Sequence, residues 1–510
     1  MRRFVAVLAA AALLPAAAPA QIAQEAVDLD MVERIREEGT ERSQIEELAR
    51  HLTEVIGPRL TGSPGMDAAN AWTQDMFRSW GLDNPRLEVW GAFGRGWRNE
   101  AYSGRILTPF GQPLQGQPLA WTGSTDGEVR GRAMVVDAAD AAGLQAYRGR
   151  LAGTFLLLDE PADVEPEFEH RDRRTALDDL LPQAVQGAPA EESGGAAMSD
   201  EERQAFFARM RAAAEVRDAL LTMAEEEGAL GVFRISSRDH GVVRGGSGGS
   251  RTPGDPEGLP HVALPRERYN HIWRNVSAGI PVEIALNVEN RFFEDDPNES
   301  NSFADIRGTD KADELVMLGA HLDSWHMGGG ATDNAAGSVI MMEAMRILKT
   351  LGVQPRRTIR IGLWSGEEQG LLGSRAWVAA HPELHDRISA YVNIDNGTGR
   401  VRGIWNQSNE RATPVFEQIL WPFRDLGVVA VRSGNTGGTD HLAFDAAGIP
   451  GFNFIQDPIE YGINTHHTEL DTFDHLVLED LRQAAIVVAA TVYHLAMRDE
   501  MMPRKGEPIS

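Results

Sequence analysis

The sequence predicts an α/β protein whose mostly parallel, mixed sheet is sandwiched by helices. In the C-terminal half, short apolar segments alternate with amphipathic ones, and this alternation is typical of parallel strands connected by helices on both faces of a sheet. Residues 315–320 form a continuous apolar run, as expected for a strand that is buried on both faces. The predicted strands and helices of this half are 315–320, 334–350, 358–364, 371–380, 388–394, 414–426, 449–455 and 478–498.

The region before this half has a different pattern. Residues 96–295 contain short strand-like runs separated by turns, together with a helix-like segment near 199–227. The strand-like runs are 131–136, 154–158, 230–235 and 281–288. Residues 21–95 hold too few elements for a domain of their own. We therefore predict a main domain built from 21–95 and 296–510, with a β-rich domain, 96–295, inserted into it.

The composition excludes some classes of partner and of site. Lys and Arg number 49 while Asp and Glu number 75, so the formal net charge of -26 argues against a nucleic-acid or anionic-membrane partner. The chain has no cysteine, and therefore it has neither disulfides nor thiolate metal ligands. Any metal ion must be held by histidine and carboxylate side chains.

The N-terminus has the pattern of a secretory signal peptide, residues 1–20. Arg2 and Arg3 precede an apolar run at 4–14, and the small residues at 18–20 provide a cleavage site. The apolar run is too short to cross a bilayer comfortably, which argues against an uncleaved anchor. We expect an exported protein, periplasmic or secreted, with no membrane span in its mature chain.

Side chains that can bind metals follow the predicted strands at one edge of the sheet. Ligands bind at this carboxyl edge in open α/β sheets. The residues are His321, Asp323 and Asp333 after 315–320, Glu367 and Glu368 after 358–364, Asp395 after 388–394, and the pair His466 and His467 beyond 449–455.

Each of these residues alone has an ordinary structural explanation, such as a helix cap or a buried hydrogen bond. Together, their like charges would repel one another strongly without a cation. Two divalent ions about 3.5–4 Å apart can activate water and polarise a carbonyl group, which is the chemistry of hydrolysis. Hydrolysis also needs a base that is not a ligand. Because neighbours at a helix start point in different directions, one of Glu367 and Glu368 can bind metal while the other faces the water.

The motifs around these residues resemble those of a known family. They are His321-x-Asp323, Asp333-Asn334 after a glycine loop, Glu367-Glu368-Gln-Gly, Asp395, and His-Thr-x-x-Asp-Thr at 467–472. This set resembles the di-zinc exopeptidase family of aminopeptidases and glutamate carboxypeptidases, and most of all its carboxypeptidase Q (plasma glutamate carboxypeptidase) branch. The likeness to that branch covers nearly all of the mature chain and rests on 321–325, 351–358, 438–440, 447–451 and 466–467.

The resemblance implies a phosphorylase/hydrolase-like fold with an inserted protease-associated domain, and it also implies the ligands of two zinc ions per chain. One ion would be held by His321, Asp333 and Asp395. The other would be held by Asp333, Glu368 and His467. Asp333 would thus bridge the two ions.

Two further roles follow from the same resemblance. Glu367 would be the general base, and Asp323 would orient His321 through its second ring nitrogen, as carboxylates behind metal-bound histidines do. His467 is implied as the ligand in place of His466, because the family has a threonine directly after the liganding histidine.

The implied activity is that of a zinc-dependent metallopeptidase. It would be an exopeptidase that hydrolyses small peptides or dipeptides with free termini, as an aminopeptidase or a carboxypeptidase Q-like enzyme, and such relatives are commonly homodimers. Two alternatives are a non-catalytic receptor-like homologue and a single-zinc glutaminyl cyclase-like acyltransferase, which would need only Asp333, Glu368 and His467. The presence of His321 and Asp395 favours two metals.

Other residues are candidates by proximity to the motifs alone. The glycine-rich stretch 244–258 has no Gly-Lys-Ser/Thr ending, so we interpret it as a flexible loop and not as a phosphate-binding loop. The preferred substrate side chain depends on loop contacts that a sequence does not show. The remaining candidates are His326, His441 and His475 near the metal or substrate, and Arg432, Asn435, Tyr461 and Asn464 in the substrate pocket.

Overall fold

Two eight-stranded sheets organise the protein. The computed structural model describes residues 24–138, 140–169, 173–180 and 200–506. The predicted signal peptide, residues 1–20, lies outside these ranges. Within the described ranges, none of the helices is both long enough and apolar enough to cross a membrane.

The first sheet is mixed, and its central strands are parallel. Its strands are β1 (Asp83–Ala92), β10 (Asn298–Ile306), β11 (Lys311–His321), β12 (Arg357–Trp364), β13 (Ile388–Asn393), β14 (Val401–Trp405), β15 (Ala430–Arg432) and β16 (Gly451–Gln456). They lie in the order β1-β10-β12-β11-β13-β16-β14-β15. Parallel pairing joins β12, β11, β13 and β16, whereas β1 and β10 add antiparallel strands at one end. The predicted fold class is confirmed.

Helices cover both faces of the first sheet. Because side chains alternate along a strand, Val316 and Leu318 of β11 point into one core while Leu315 and Met317 point into the other. The first core is closed by α1 (Leu29–Glu41), α2 (Ile45–Arg50), α3 (Pro64–Ser79), α7 (Ala336–Thr350), α9 (Thr413–Leu420) and α11 (Leu478–Met497). The second core is closed by α8 (Leu372–Ala380) and α10 (His441–Ala446).

The second sheet is formed by strands between residues 96 and 293. They are β2 (Gly96–Ile106), β3 (Gln112–Pro113), β4 (Gln117–Pro118), β5 (Val129–Val135), β6 (Thr154–Leu157), β7 (Gly231–Ile235), β8 (His261–Leu264) and β9 (Glu283–Phe293), in the order β3-β2-β9-β5-β6-β7-β8-β4. This part of the chain also contains α4 (Ala141–Leu144), α5 (Asp200–Glu227) and α6 (Arg266–Ser277). Its independence as an inserted domain stays a prediction.

Two helices that pack on the first sheet differ from the sequence prediction by two residues or more at one end. The predicted helix 334–350 begins at Ala336, because Asn334 has non-helical backbone angles and its side-chain oxygen accepts a hydrogen bond from the N–H of Gly337. The predicted helix 414–426 is α-helical only to Leu420 and continues as a 3₁₀ turn. Pro422 lacks the N–H that a further α-helical hydrogen bond needs.

Candidate metal centre

The carboxyl ends of β11, β12 and β13 meet at one edge of the first sheet and bring the candidate ligands together. His321 is the last residue of β11, and Asp395 follows the end of β13. Glu367 and Glu368 lie in the turn between β12 and α8. The sequence placed them at a helix start, but α8 begins only at Leu372.

Two turns supply the remaining ligands. Asp333 lies in the turn Ala331–Ala335 before α7, where its backbone angles are not helical, and His467 follows a π-helical turn, Tyr461–Thr465. The carboxylate of Asp471 holds the first turn, because it accepts hydrogen bonds from the backbone N–H groups of Thr332 at 2.5 Å and of Asp333 at 3.1 Å. Asp471 belongs to the same sequence motif as His467, so this motif connects the two turns.

Asp333 lies between two histidines. Its Oδ1 is 3.3 Å from Nε2 of His321, and its Oδ2 is 3.1 Å from Nε2 of His467. Asp395 Oδ1 also lies 3.3 Å from Nε2 of His321, while Glu368 Oε2 lies 2.9 Å from Nε2 of His467. The structure therefore brings all the ligand candidates together, and Asp333 belongs to two of the three overlapping groups of described residues that could hold a metal ion.

Glu367 and His466 also belong to groups that could hold a metal ion, but they lie farther from their nearest partners than the other candidates do. Glu367 Oε2 is 3.9 Å from Nε2 of His321, and His466 Nε2 is 3.7 Å from Oδ2 of Asp333. His467 contacts both Asp333 and Glu368, whereas the shortest ion-pair contact of His466 in the described chain is to Asp333 alone. The geometry thus favours His467 as the ligand and leaves Glu367 slightly withdrawn.

The chemistry of these side chains fits divalent cations. Burial, with the charge of Asp333, raises the pKa of Glu368 to about 7, and burial with the nearby carboxylates raises the pKa of Glu367 well above its usual value. Oε1 of Glu368 is buried and has no hydrogen-bond partner among the described residues. A set of histidine nitrogens and carboxylate oxygens without thiolates suits zinc. A cation would relieve both the repulsion and the unpaired oxygen.

Asp323 has a different set of contacts from the one implied by the sequence. The Nδ1 of His321 lies 3.0 Å from the backbone oxygen of Asp323 and 3.5 Å from its carboxylate. The carboxylate instead accepts hydrogen bonds from the backbone N–H groups of Glu367 and Glu368, both at 3.3 Å, and from the hydroxyl of Thr61 at 2.9 Å. Asp323 therefore orients His321 chiefly through its main chain, and its side chain holds the turn with the two glutamates.

Comparison with known sequences agrees with this geometry. Residues 301–492 match the sequence profile described as Peptidase family M28. This part of the chain belongs to peptidase family M28. The matched range contains every ligand and catalytic residue that the sequence predicted.

Curated relatives of the M28 region include two kinds of exopeptidase. Carboxypeptidase Q of Homo sapiens is 31% identical over 246 residues, which cover 48% of this chain and 52% of that protein. Aminopeptidase YwaD of Bacillus subtilis is 32% identical over 206 residues, which cover 38% of this chain and 44% of that protein. The chain therefore spans about half the length of the curated relatives that it matches.

Solved structures resemble more of the chain. A Peptidase M28 precursor from Shewanella amazonensis is 25% identical, with a TM-score of 0.66 over 94% of this chain and 99% of that chain. BSAP, a zinc aminopeptidase from Bacillus subtilis, is 19% identical, with a TM-score of 0.55 over 89% of this chain and 95% of that chain. The likeness to BSAP shows the fold.

A segment of the second sheet region lies against the M28 site. The N–H of Gly245 donates to the carbonyl of His467 at 3.0 Å, and a guanidinium nitrogen of Arg244 lies 3.2 Å from Nδ1 of His467. The N–H of Val243 donates to the carboxylate of Glu469 at 2.8 Å. The start of the stretch that the sequence indicated as a flexible loop is therefore packed on the ligand-bearing turn.

The other histidine candidates have partners outside the ligand groups. His326 Nε2 lies 2.8 Å from the carbonyl of Pro118, and His441 Nε2 lies 3.2 Å from the carbonyl of Thr436. His475 pairs with Glu460. Within the described residues, none of these three histidines belongs to a group that could hold a metal ion.

The predicted pocket residues are spread over several contacts. The ring of Tyr461 lies 4.9 Å from that of His466, so Tyr461 does border the site. Arg432 stacks over Trp405, Asn464 donates to Glu460, and Asn435 is exposed.

Sequence reasoning gave no role to Asp440, which the structure buries completely near the ligands. Burial and the charges of Asp395 and Asp323 raise the pKa of Asp440 to about 7, while His321 and the Ser374 hydroxyl oppose the rise. The Gly-Thr-Asp motif that ends at Asp440 was a signal for this residue, although its spacing alone predicts no contact.

Proposed function

We propose that the protein is an exported di-zinc metallo-exopeptidase that hydrolyses small peptides, and especially dipeptides, with free termini. The observation that supports this most is the position of Asp333, whose two oxygens face His321 at 3.3 Å and His467 at 3.1 Å. A carboxylate in that position can bridge two cations. Membership of the M28 family and the likeness to curated exopeptidases support the same conclusion.

We assign the residues around Asp333 to two ligand sets. His321, Asp333 and Asp395 would hold one zinc ion, and Asp333, Glu368 and His467 would hold the other. When bound, the two ions would polarise the substrate carbonyl and acidify the attacking water. Because Nδ1 of His321 faces the carbonyl oxygen of Asp323, its proton lies on Nδ1 and the lone pair of Nε2 is free for the metal.

Glu367 is the group placed to move the proton during hydrolysis. It accepts a proton from the water whose oxygen attacks the peptide carbonyl carbon. The same proton then passes to the amine nitrogen as the carbon–nitrogen bond breaks. The water thus supplies its OH to the new carboxyl group and its other proton to the amine. The side chain of Glu367 is 9% exposed. Its Oε2 lies 3.9 Å from Nε2 of His321, which is farther from that nitrogen than the oxygens of Asp333 and Asp395 are.

The proposed preference for short peptides is supported by the charges of the site. Val243 and Gly245 bind the turn that carries His467, so the second sheet region borders the site. The carboxylates at the site suit the substrate ammonium group, and in a dipeptide both free termini lie close to the metals.

Two further parts of the proposal concern the mature protein. Residues 1–20 would be removed on export, so the mature chain would begin at Gln21. The mature enzyme would form a homodimer. Intact mass of the secreted protein and its molar mass in solution test these two points separately.

A peptide panel tests the proposed activity. The chain is incubated with unblocked dipeptides and longer peptides in the presence of zinc, and the products are identified by mass. We expect zinc-dependent cleavage that a chelator abolishes and that zinc restores. Conversion of an N-terminal glutamine to pyroglutamate with loss of ammonia, and without peptide cleavage, would instead support a glutaminyl cyclase-like acyltransferase, and no reaction with any peptide would support a receptor-like role.

A further inference from the structure

The segment Gly-Pro-Arg-Leu-Thr-Gly-Ser-Pro-Gly at 57–65, here called the N-terminal turn, lies against the metal centre although it is far from it in sequence. It precedes β1, and sequence patterns indicate only that it is rich in turn residues. The structure buries Arg59 and Thr61 completely, with an exposure of 0% for each. Both side chains are polar, so their burial must be compensated by specific hydrogen bonds.

Thr61 connects two strand ends of the site. Its hydroxyl donates to Oδ2 of Asp323 at 2.9 Å and accepts from the backbone N–H of Gly366 at 3.1 Å. The same Asp323 carboxylate accepts from the N–H groups of Glu367 and Glu368. The hydroxyl of Thr61 thus connects Asp323, in the loop after β11, to the turn after β12, which carries both glutamates.

Arg59 holds the glycine loop before Asp333. Its guanidinium donates to the carbonyl groups of Leu322 at 2.7 Å, Gly329 at 2.7 Å and Gly330 at 2.8 Å. It also donates to the carbonyl of Gly57 at 2.9 Å, which closes the N-terminal turn on itself. Burying a guanidinium cation among neutral carbonyl groups costs desolvation free energy when the chain folds. If Arg59 served only to stabilise the fold, an apolar side chain would do so better.

The carbonyl groups that Arg59 binds belong to residues beside the ligands. Leu322 separates His321 from Asp323, and the glycine loop ends shortly before Asp333. A single planar guanidinium can reach these separate carbonyls at once because its donors are fixed in a fork, whereas an ammonium group cannot. Arg59 therefore sets the distance between the end of β11 and the glycine loop.

We propose that Thr61 and Arg59 are positioning residues of the hydrolytic site. Thr61 fixes the turn that carries the base Glu367 relative to His321, and Arg59 fixes the loop that delivers Asp333. This inference rests on the proposed peptidase function. It assigns to the N-terminal turn, which lies outside the matched M28 range, a part in the geometry of the reaction.

Thr61→Val is the sharpest test, because valine has nearly the shape of threonine and lacks only the hydroxyl. We expect kcat to fall about 10- to 100-fold, as for a small misplacement of a catalytic group, with KM and zinc content unchanged. Thr61→Ser keeps the hydroxyl and should restore most of kcat. Thr73→Val is the matched control, since Thr73 is also fully buried and its hydroxyl forms hydrogen bonds with the carbonyl of Asn70 and with the hydroxyl of Ser302.

Arg59→Lys tests the second residue through a measurement other than activity. We expect the folded variant to bind zinc about 10- to 100-fold more weakly in competition with a chelator, as when residues behind metal ligands are changed. The positioning role would be overturned if folded Arg59→Lys bound zinc as tightly as the wild type does and if Thr61→Val had the same kcat per folded molecule as Thr73→Val. A wild-type chain that neither binds zinc nor cleaves peptides would instead contradict the proposed function and this inference with it.

Discussion

Asp333 and His467 face each other, with Oδ2 of the carboxylate 3.1 Å from Nε2 of the imidazole. The second oxygen of Asp333 faces His321 in the same way at 3.3 Å. A carboxylate with one oxygen toward each of two histidines, and with Asp395 and Glu368 beside them, supports the proposed pair of cations. The predictions below follow from this arrangement.

The adjacent glutamates are expected to respond differently to the same substitution. Glu367→Gln should keep both zinc ions but lower kcat about 100-fold or more, because the amide cannot accept a proton. Glu368→Gln should lose zinc, because it removes a charged ligand. Zinc content and kcat of the two variants decide the roles, and zinc loss in the Glu367 variant with full occupancy in the Glu368 variant would reverse them.

The termini of the substrate should both matter. N-acetylation of a dipeptide removes its ammonium group and leaves the carboxylates of the site without a partner, so turnover should fall. C-amidation removes the negative charge at the other end and should also slow a carboxypeptidase Q-like reaction. Relative kcat/KM for the free, acetylated and amidated forms of one dipeptide measures both effects. Faster cleavage of the acetylated form would exclude aminopeptidase action, while indifference to amidation would argue against a carboxypeptidase.

Limited proteolysis should cut first within 160–169, where the described residues are mostly exposed and form no regular structure. The stretch 244–258 should resist longer, because Arg95 binds the carbonyl groups of Ser250 and Asp255. The fragments should stay together, since β1 pairs with β10 and β2 pairs with β9 across the cut. Gel filtration after digestion checks this, and early cuts within 315–395 would contradict the proposed domain division.

The second sheet should lose stability in mild acid because of His261. Burial, with the charge of Arg234, lowers the pKa of His261 from 6.5 to about 4. The unfolded chain therefore binds a proton more tightly than the folded chain, so the stability is complete above pH 6.5 and falls as the pH drops toward 4. At pH 5 the loss from this residue is about 2 kcal/mol.

The variant His261→Leu isolates that contribution. Its thermal unfolding midpoint should change less between pH 7.5 and pH 5 than that of the wild type, because leucine binds no proton. The comparison at pH 7.5 serves as the control for packing differences. An identical change in both proteins would show that His261 is not a source of the acid sensitivity.

The sequence predicts the fold class and places the candidate ligands at one edge of the sheet, because strand ends such as His321 and Asp395 can be located from apolar runs. It does not predict Thr61 and Arg59, whose partners lie more than 250 residues away and belong to no local pattern. The carboxylate of Asp323 was assigned to His321 alone, whereas in the structure it lies 3.5 Å from the ring of His321 and also accepts hydrogen bonds from the turn with the two glutamates. Such contacts depend on tertiary packing, which periodicity does not reveal.

Zinc counting in single-ligand variants tests the central claim most directly. If Asp333 bridges two ions, the wild type should hold close to two zinc ions per chain, His321→Ala and His467→Ala should each hold close to one, and Asp333→Ala should hold almost none. Elemental analysis of dialysed, folded protein gives these numbers. A wild type with a single zinc ion, lost in His467→Ala and kept in His321→Ala, would contradict the di-zinc site.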